Sequence, residues 1–245
     1  MNPLIAPDQN NINSPIIIPL DYDNEKQVMD LVAKLHPSLC KLKVGKELFT
    51  VCGPKLVEKL VISGYDVFLD LKFHDIPNTV YKACKAAAKL GVWMVNVHAS
   101  GGGNMLQMAK QAIDESSHKP LLIAVTVLTS MSEADLAQIG INEDINSHVL
   151  RLAKLSCDYG LDGVVCSAHE AKPIKDATSG QFLTVTPGIR LASDKSHDQV
   201  RIMTPVAALN NLADYLVIGR SITNATDPHT TLLQILSDIK ATQST

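Results

Sequence analysis

The chain has 245 residues, close to the ~250 of one (β/α)8 barrel, although two small domains would also fit that length. Apolar residues make up 46% of it, enough for a large core, and charged residues 19%. The formal net charge of −3 argues against a general binder of nucleic acid or of anionic membrane, so any phosphate ligand must be held by local groups rather than by an overall positive field.

Residues 1–14 are polar and rich in Asn, and are expected to form a flexible N-terminal tail ahead of one barrel domain over 15–245. From there, short apolar runs rich in Val and Ile alternate with longer stretches of helical spacing. Strands are predicted over 15–21, 40–45, 65–72, 92–98, 121–128, 163–167, 182–186 and 215–219. Helices are predicted between them, among others over 24–36, 54–63, 79–90, 104–116, 145–159 and 198–209. The runs read as strands buried on both faces, as in a parallel sheet. Eight of them alternating with helices argue for a single-domain α/β fold closed into a (β/α)8 TIM barrel. The competitor is a doubly wound open sheet, which usually carries G-x-G-x-x-G after its first strand. Here the first run ends in Leu20-Asp21-Tyr22-Asp23, and Gly101-Gly102-Gly103 after the fourth lacks that spacing. No tandem repeat, low-complexity linker or charge block divides the chain.

The five cysteines, Cys40, Cys52, Cys84, Cys157 and Cys166, contain no C-x-x-C pair and lie mostly in apolar or helical stretches. They read as reduced thiols of a cytoplasmic protein. The N-terminus lacks a basic region followed by an apolar run, and no stretch of ~18 apolar residues is present, so neither a signal peptide nor a membrane span is expected.

In a TIM barrel the working residues lie at the C-terminal ends of the strands, so the polar residues closing each run carry the information. Asp21 closes the first, Lys43 lies in the second, and Asp70 and Lys72 lie in the third with Asp75 just beyond. His98 closes the fourth, and Thr129 and Ser130 follow the fifth. The seventh runs into Thr186-Pro187-Gly188-Ile189-Arg190 and the eighth into Gly219-Arg220-Ser221. Strand alternation would point Asp70 and Lys72 to the same side, with Leu71 and Phe73 to the other. Charges facing a barrel interior must pair, and Lys43, one strand away, can complete an alternating Lys–Asp network. A purely structural ion network at the barrel mouth is the alternative reading of these residues. Gly219-Arg220 ends a strand and opens a helix, where backbone N–H groups and a bidentate guanidinium can take a phosphate; the alternative is an ordinary strand–helix turn with a solvated Arg. Gln199 could add an amide donor, or be a surface residue of its helix.

The segment 70–79, DLKFHDIPNT, resembles the D-x-K-x-x-D-I-x-x-T signature of the orotidine 5′-phosphate decarboxylase family. Leu20-Asp21, Lys43-Val44-Gly45, Val97-His98-Ala99, Leu128-Thr129-Ser130, Thr186-Pro187-Gly188-Ile189-Arg190, Asp198-Gln199 and Ile218-Gly219-Arg220 are similar to that family in the expected order. The resemblance implies cofactor-independent, metal-independent decarboxylation of orotidine 5′-phosphate to uridine 5′-phosphate, the last step of UMP synthesis. It implies Lys72 as proton donor to C6 of the pyrimidine, with Asp70 beside the scissile carboxylate. Lys43 and Asp75 would complete the charge network and contact the ribose, whose oxygens Asp21 and Thr79 would also hold. Ser130, with Thr129 in the same loop, would meet the pyrimidine edge. Gln199, Gly219 and Arg220 would hold the phosphate with Arg190 nearby. The family pattern places Asp75 and Thr79 in the neighbouring subunit's site, which implies a homodimer with shared active sites. Pro19 stands where Ala is common in that pattern, and His74 and His98 are expected to position rather than to transfer protons. Related phosphosugar barrels share D-x-K-x-x-D but use Mg²⁺; a non-catalytic sensor barrel would be expected to lose one of Lys43, Asp70, Lys72 or Asp75.

No recognisable cofactor fingerprint or His/Cys metal cluster appears in the sequence to act as an electron sink. A fixed ammonium at Lys72 could stabilise the developing carbanion and then protonate it. Asp70 could repel the substrate carboxylate or, as the favoured role, orient Lys72 and hold its charge. The polar loop 187–199 is expected to fold over the phosphate.

Overall fold

The computed structural model describes residues 14–191 and 203–243. Eight parallel strands close into a barrel in sequence order, each paired with the next and the last with the first. They are β1 (Ile16–Pro19), β2 (Lys41–Gly45), β3 (Val67–Phe73), β4 (Met94–His98), β5 (Leu121–Val125), β6 (Gly163–Val165), β7 (Leu183–Thr186) and β8 (Tyr215–Val217). All eight expected strands are present, each starting or ending within a few residues of the apolar run that announced it. The helices are α1 (Glu25–Val32), α2 (Lys46–Ile62), α3 (Pro77–Lys89), α4 (Gly103–Asp114), α5 (Glu133–Gln138), α6 (Ile145–Asp158), α7 (Ala171–Ala177), α8 (Pro205–Asn210), α9 (Arg220–Thr223) and α10 (Pro228–Gln243). Among the described residues no helix is long and apolar enough to cross a membrane.

Local chemistry sets the helix starts. Asn24 accepts from the Gln27 N–H to cap α1, Asp144 accepts from the Ser147 N–H to cap α6, and Ser132 with Asp135 forms a reciprocal box at α5. The expected helix 54–63 is the second half of α2, which breaks at Gly53 (φ 68°), so that Pro54 begins a new helical stretch instead of interrupting one. Of the expected helix 198–209, residues 198–202 lie outside the described residues, and α8 starts only after Thr204, whose hydroxyl caps it. The tail expected over 1–14 likewise lies outside the described residues except for Ser14, which is buried and accepts from the Ile16 N–H at the head of β1.

Two apolar layers hold the barrel. The larger lies between strands and helices; the smaller fills the barrel interior with Ile17, Phe68, Met94, Ile123 and Val185. The N-terminal end is closed by a polar–aromatic plug. The buried Lys41 ammonium lies 4.7 Å from the Trp93 ring and 5.8 Å from Tyr215, and pairs with Asp66 at 2.8 Å. Trp93 and Tyr215 meet edge to face at 5.0 Å. The described cavity lies at the opposite mouth.

Close approach of β6 and β7 requires a glycine. A β-carbon on Gly163 would lie 2.3 Å from the Leu183 carbonyl oxygen, which belongs to the backbone and cannot turn aside. Gly163→Ala is expected to destabilise the protein by about 1–3 kcal/mol, the range for overpacking. Urea unfolding measures this; an unchanged midpoint would mean the two strands separate more easily than their packing indicates.

Candidate active site

At the C-terminal mouth the third strand is not a regular strand. Its register against β4 runs Leu69↔Val95 and then Phe73↔Val97, so two additional residues are accommodated on β3 between those pairs. Lys72 has a left-handed backbone, φ 55°, unusual for a residue with a side chain. Asp70 and Lys72 do converge, but through this bulge and not through plain strand alternation. Lys72 Nζ donates to Asp70 Oδ1 at 2.6 Å, and Lys43 Nζ lies 3.3 Å from Asp70 Oδ2 and 3.8 Å from Asp21. Asn96 on β4, wholly buried, donates from Nδ2 to Asp70 Oδ1 at 2.7 Å and accepts the Lys72 backbone N–H at 2.8 Å.

Asp70 is buried, and burial by itself would raise its pKa. The nearby Lys43 and Lys72 charges and the hydrogen bonds from Lys72 and Asn96 outweigh burial and hold the carboxyl below its ordinary value. Its contribution to folding is therefore present at neutral pH and is lost as pH falls through the acid range below 3.8.

The charge array forms one wall of a cavity of about 670 Å³. Phe68, Val125, Val165, Val185 and Val217 line it from the barrel strands. Its polar lining includes four cationic side chains (Lys43, Lys72, Arg190 and Arg220) and two carboxylates (Asp21 and Asp70), an excess suited to an anionic ligand. Arg190 follows β7, which lies four strands from β3 around the barrel, and Gly219 and Arg220 follow β8, so the cations stand in two groups. Pro19 at the end of β1 packs where ladder pairing with β8 has already ended at Ile17↔Val217, so no donor is missing there. Its ring meets Gly219, where a β-carbon would come within 3.1 Å of Pro19 Cγ. Beyond β7, the Arg190 N–H donates to the Met203 carbonyl at 3.1 Å, which ties together the two chain ends flanking 192–202.

Of the expected site residues, Asp21, Lys43, Asp70, Lys72, Thr129, Arg190, Gly219 and Arg220 line this cavity. Ser130 is exposed and outside the lining, next to Thr129. Asp75 and Thr79 are exposed on the rim; Asp75 accepts from the Ile76 N–H at 2.6 Å and, among the described residues, makes no ion pair with Lys43 or Lys72. Gln199, and most of the loop 187–199 expected to close, lie outside the described residues. Sequence reasoning missed Asn96, whose signal was a lone amide in the middle of an otherwise apolar run, and the cavity residues Tyr22, Thr223 and Asn224. His98 and His74 face each other at 5.4 Å beside the array.

Fold and site together define a (β/α)8 barrel that takes a small anionic molecule at its C-terminal mouth, against a fixed Lys–Asp array. A sequence model of the orotidine 5′-phosphate decarboxylase / HUMPS family matches residues 14–235, and the chain belongs to that family. It is 56% identical over 239 residues to the orotidine 5′-phosphate decarboxylase of Chromobacterium violaceum, covering 98% of this chain and 97% of that one. It is 55% identical to the orotidine 5′-phosphate decarboxylase of Saccharophagus degradans, over 94% of this chain and 97% of the relative. The crystal structure of orotidine 5′-phosphate decarboxylase from Lactobacillus acidophilus superposes with a TM-score of 0.83 at 40% identity, covering 93% of this chain and 99% of that one.

Burial, then the neighbouring His74, Lys46 and Lys72, lower the pKa of His98 from 6.5 to about 4, with Asp70 opposing them. Between those values the unfolded chain takes up a proton that the folded chain refuses, so stability must fall as pH drops through that window. In His98→Asn the loss of urea resistance between about pH 7 and about pH 5 is expected to be smaller than in the parent. Equal losses in the two proteins would remove His98 from the acid response.

Proposed function

We propose that the chain removes CO₂ from orotidine 5′-phosphate to give uridine 5′-phosphate, the last step of UMP synthesis, using neither an organic cofactor nor a metal. The observation that carries this reading is the Lys72 ammonium, 2.6 Å from a buried Asp70 carboxylate and facing a cavity rich in cations. In the reaction the bond from C6 to the carboxylate breaks, its electron pair stays on C6, and CO₂ departs. C6 then takes a proton from Lys72 Nζ, which regains one from water. An ammonium already fixed by Asp70, whose carboxylate Asn96 holds in turn, would meet the developing carbanion with little reorganisation, which is how preorganised charge lowers a barrier. Arg190, Gly219 and Arg220 would hold the phosphate, with Gln199 joining them. Asp21 and Lys43 would hold the ribose, and Thr129 and Ser130 the pyrimidine edge.

The single-chain site carries a local excess of positive charge. His98 sits among Lys46, Lys72 and His74 with Asp70 as the opposing carboxylate. A second recess of about 220 Å³, bounded by Leu20, Asp21, Gly45, Lys46, Glu47 and Leu48, reaches Lys43, Asp70 and Lys72 from another side. In the main cavity four cations face two carboxylates, an excess that an incoming carboxylate would reduce, and Asp75 stands exposed on the rim with Thr79 near it. This supports a homodimer in which each chain lends Asp75 and Thr79 to its partner's site. The free cysteines support a reducing, cytoplasmic setting; burial drives the Cys40 and Cys84 thiols up to about 12.

Purified protein is expected to deplete the absorbance of orotidine 5′-phosphate in the presence of a strong chelator. Lys72→Ala should lower the rate by at least roughly 10²–10³-fold while remaining folded. Loss of the parent's activity with chelator would instead favour a Mg²⁺-dependent phosphosugar reaction, and a fast Lys72→Ala protein would refute the proton-donor role. Mixing Lys72→Ala with Asp75→Ala subunits should restore roughly a quarter of the sites in a two-fold dimer. No recovery after confirmed subunit exchange would show that each site is built within one chain.

A further inference from the structure

The bulge in β3 creates a difficulty that one side chain resolves. Lys72 is held with φ 55°, where a β-carbon crowds the backbone, and the bulge takes its amide out of the regular ladder to β4. The amide finds its acceptor in Asn96 Oδ1, at 2.8 Å. The other end of the same amide group donates to Asp70 Oδ1 at 2.7 Å, the oxygen that also receives Lys72 Nζ. Asn96 has no exposed surface and does not line the cavity. Both of its bonds go to the Asp70–Lys72 pair.

We infer that Asn96 is the positioning residue that locks Lys72 in its left-handed backbone and fixes the plane of the Asp70 carboxylate, and so aims the Lys72 ammonium. This rests on the decarboxylase reading above for its kinetic consequence. The chemistry of the position is narrow. It needs one acceptor for an N–H and one donor for a carboxylate, both fully buried and back to back, which a primary amide of this length supplies. A leucine would fill similar volume but leave the Lys72 N–H and one Asp70 lone pair without partners. A carboxylate could accept from Lys72 but, ionised, would repel Asp70. With Asn96 in place, Asp70 Oδ1 has two donors and Oδ2 is left to Lys43 at 3.3 Å, so the carboxylate cannot rotate without losing contacts on both oxygens.

Because Asn96 touches no cavity surface, its loss should act on turnover and not on substrate affinity. Asn96→Leu is expected to lower kcat roughly 10- to 100-fold, as for a lost hydrogen bond to a charged group, with KM within about threefold of the parent. Asn96→Asp differs by one heavy atom. It should be most active at acidic pH, where its protonated carboxyl can donate to Asp70 while still accepting from Lys72, and should lose activity as pH rises, an inflection the parent lacks. A crystal structure of Asn96→Leu should show Lys72 leaving the left-handed region, and this readout does not depend on turnover. A folded Asn96→Leu protein with kcat within about threefold of the parent, an Asn96→Asp protein with the parent's pH profile, or an unmoved Lys72 backbone would each overturn the assignment. If Asn96→Leu does not fold, the Asn96→Asp profile decides. If the parent itself fails to turn over orotidine 5′-phosphate, the decarboxylase reading falls, and the Lys72 geometry still decides whether Asn96 holds it.

Discussion

A carboxylate buried at the mouth of the barrel, Asp70, is the constraint around which this structure is organised. Removing its charge from water is unfavourable by several kcal/mol unless donors replace the water, and here they come from three strands. Lys43 reaches it from β2, Lys72 from farther along β3, and Asn96 from β4. Each donor depends on strand register. A one-residue slip of β2 would turn Lys43 away, and a regular β3 without its bulge would leave the Lys72 amide in the ladder and out of reach of Asn96. The closed barrel holds the three registers simultaneously, and its apolar layers offset the unfavourable placement of charge. The polar network at the mouth and the packed interior beneath it are thus parts of one arrangement, with the Lys41 plug filling the opposite end.

The cavity separates two tasks around the same ring of strands. The Lys72 ammonium, the proposed proton donor, stands on β3, while the groups suited to a phosphate follow β7 and β8. In the proposed reaction the phosphate takes no chemical part, so its binding energy can be used to close the site and displace water from the charge array. Pro19 connects the two regions. It directly precedes Leu20 and Asp21 on one side and packs against Gly219 on the other. A ring that would interrupt a central ladder is accommodated because pairing with β8 has ended below it.

Most of this was legible in the sequence, and the reasons are physical. Parallel strands buried on both faces must be apolar runs, and ligand groups in a barrel must close those runs, so period and position together pointed to Asp21, Lys43, Asp70, Lys72, Arg190 and Arg220. The short helices α5 and α7 escaped notice because each spans fewer than eight residues, too little for a helical period to show, whereas α9 begins at Arg220, where a helix start was expected. The bulge escaped because alternation of Asp70 and Lys72 across Leu71 gives the same side-chain outcome as a regular strand, and only the pairing partner reveals two additional residues. Asn96 was readable as a polar residue in an apolar run, yet its meaning required knowing which strand lay beside it. Asp75 and Thr79 show the converse limit. Their place in the motif marked them as functional, but one chain leaves them on the rim, where periodicity has nothing to say about a second molecule.

The geometry also bears on how Asp70 acts. One view has its negative charge repelling the substrate carboxylate and thereby raising the ground state. But Asp70 does not face the cavity as an isolated anion. Oδ1 is bound by Lys72 and Asn96 and Oδ2 faces Lys43, so its charge is matched by two ammonium groups. Any repulsion of a substrate carboxylate by Asp70 is offset by the Lys72 ammonium held 2.6 Å from it. In the proposed reaction, as CO₂ leaves, negative charge would move from the departing carboxylate onto the ring carbon to which Lys72 would deliver its proton. An interaction that grows along that path lowers the barrier, whereas one present equally at both ends does not. In the proposed reaction, orientation of Lys72 would therefore be the larger contribution of Asp70, because it makes the strengthening interaction available without rearrangement at the moment the bond breaks.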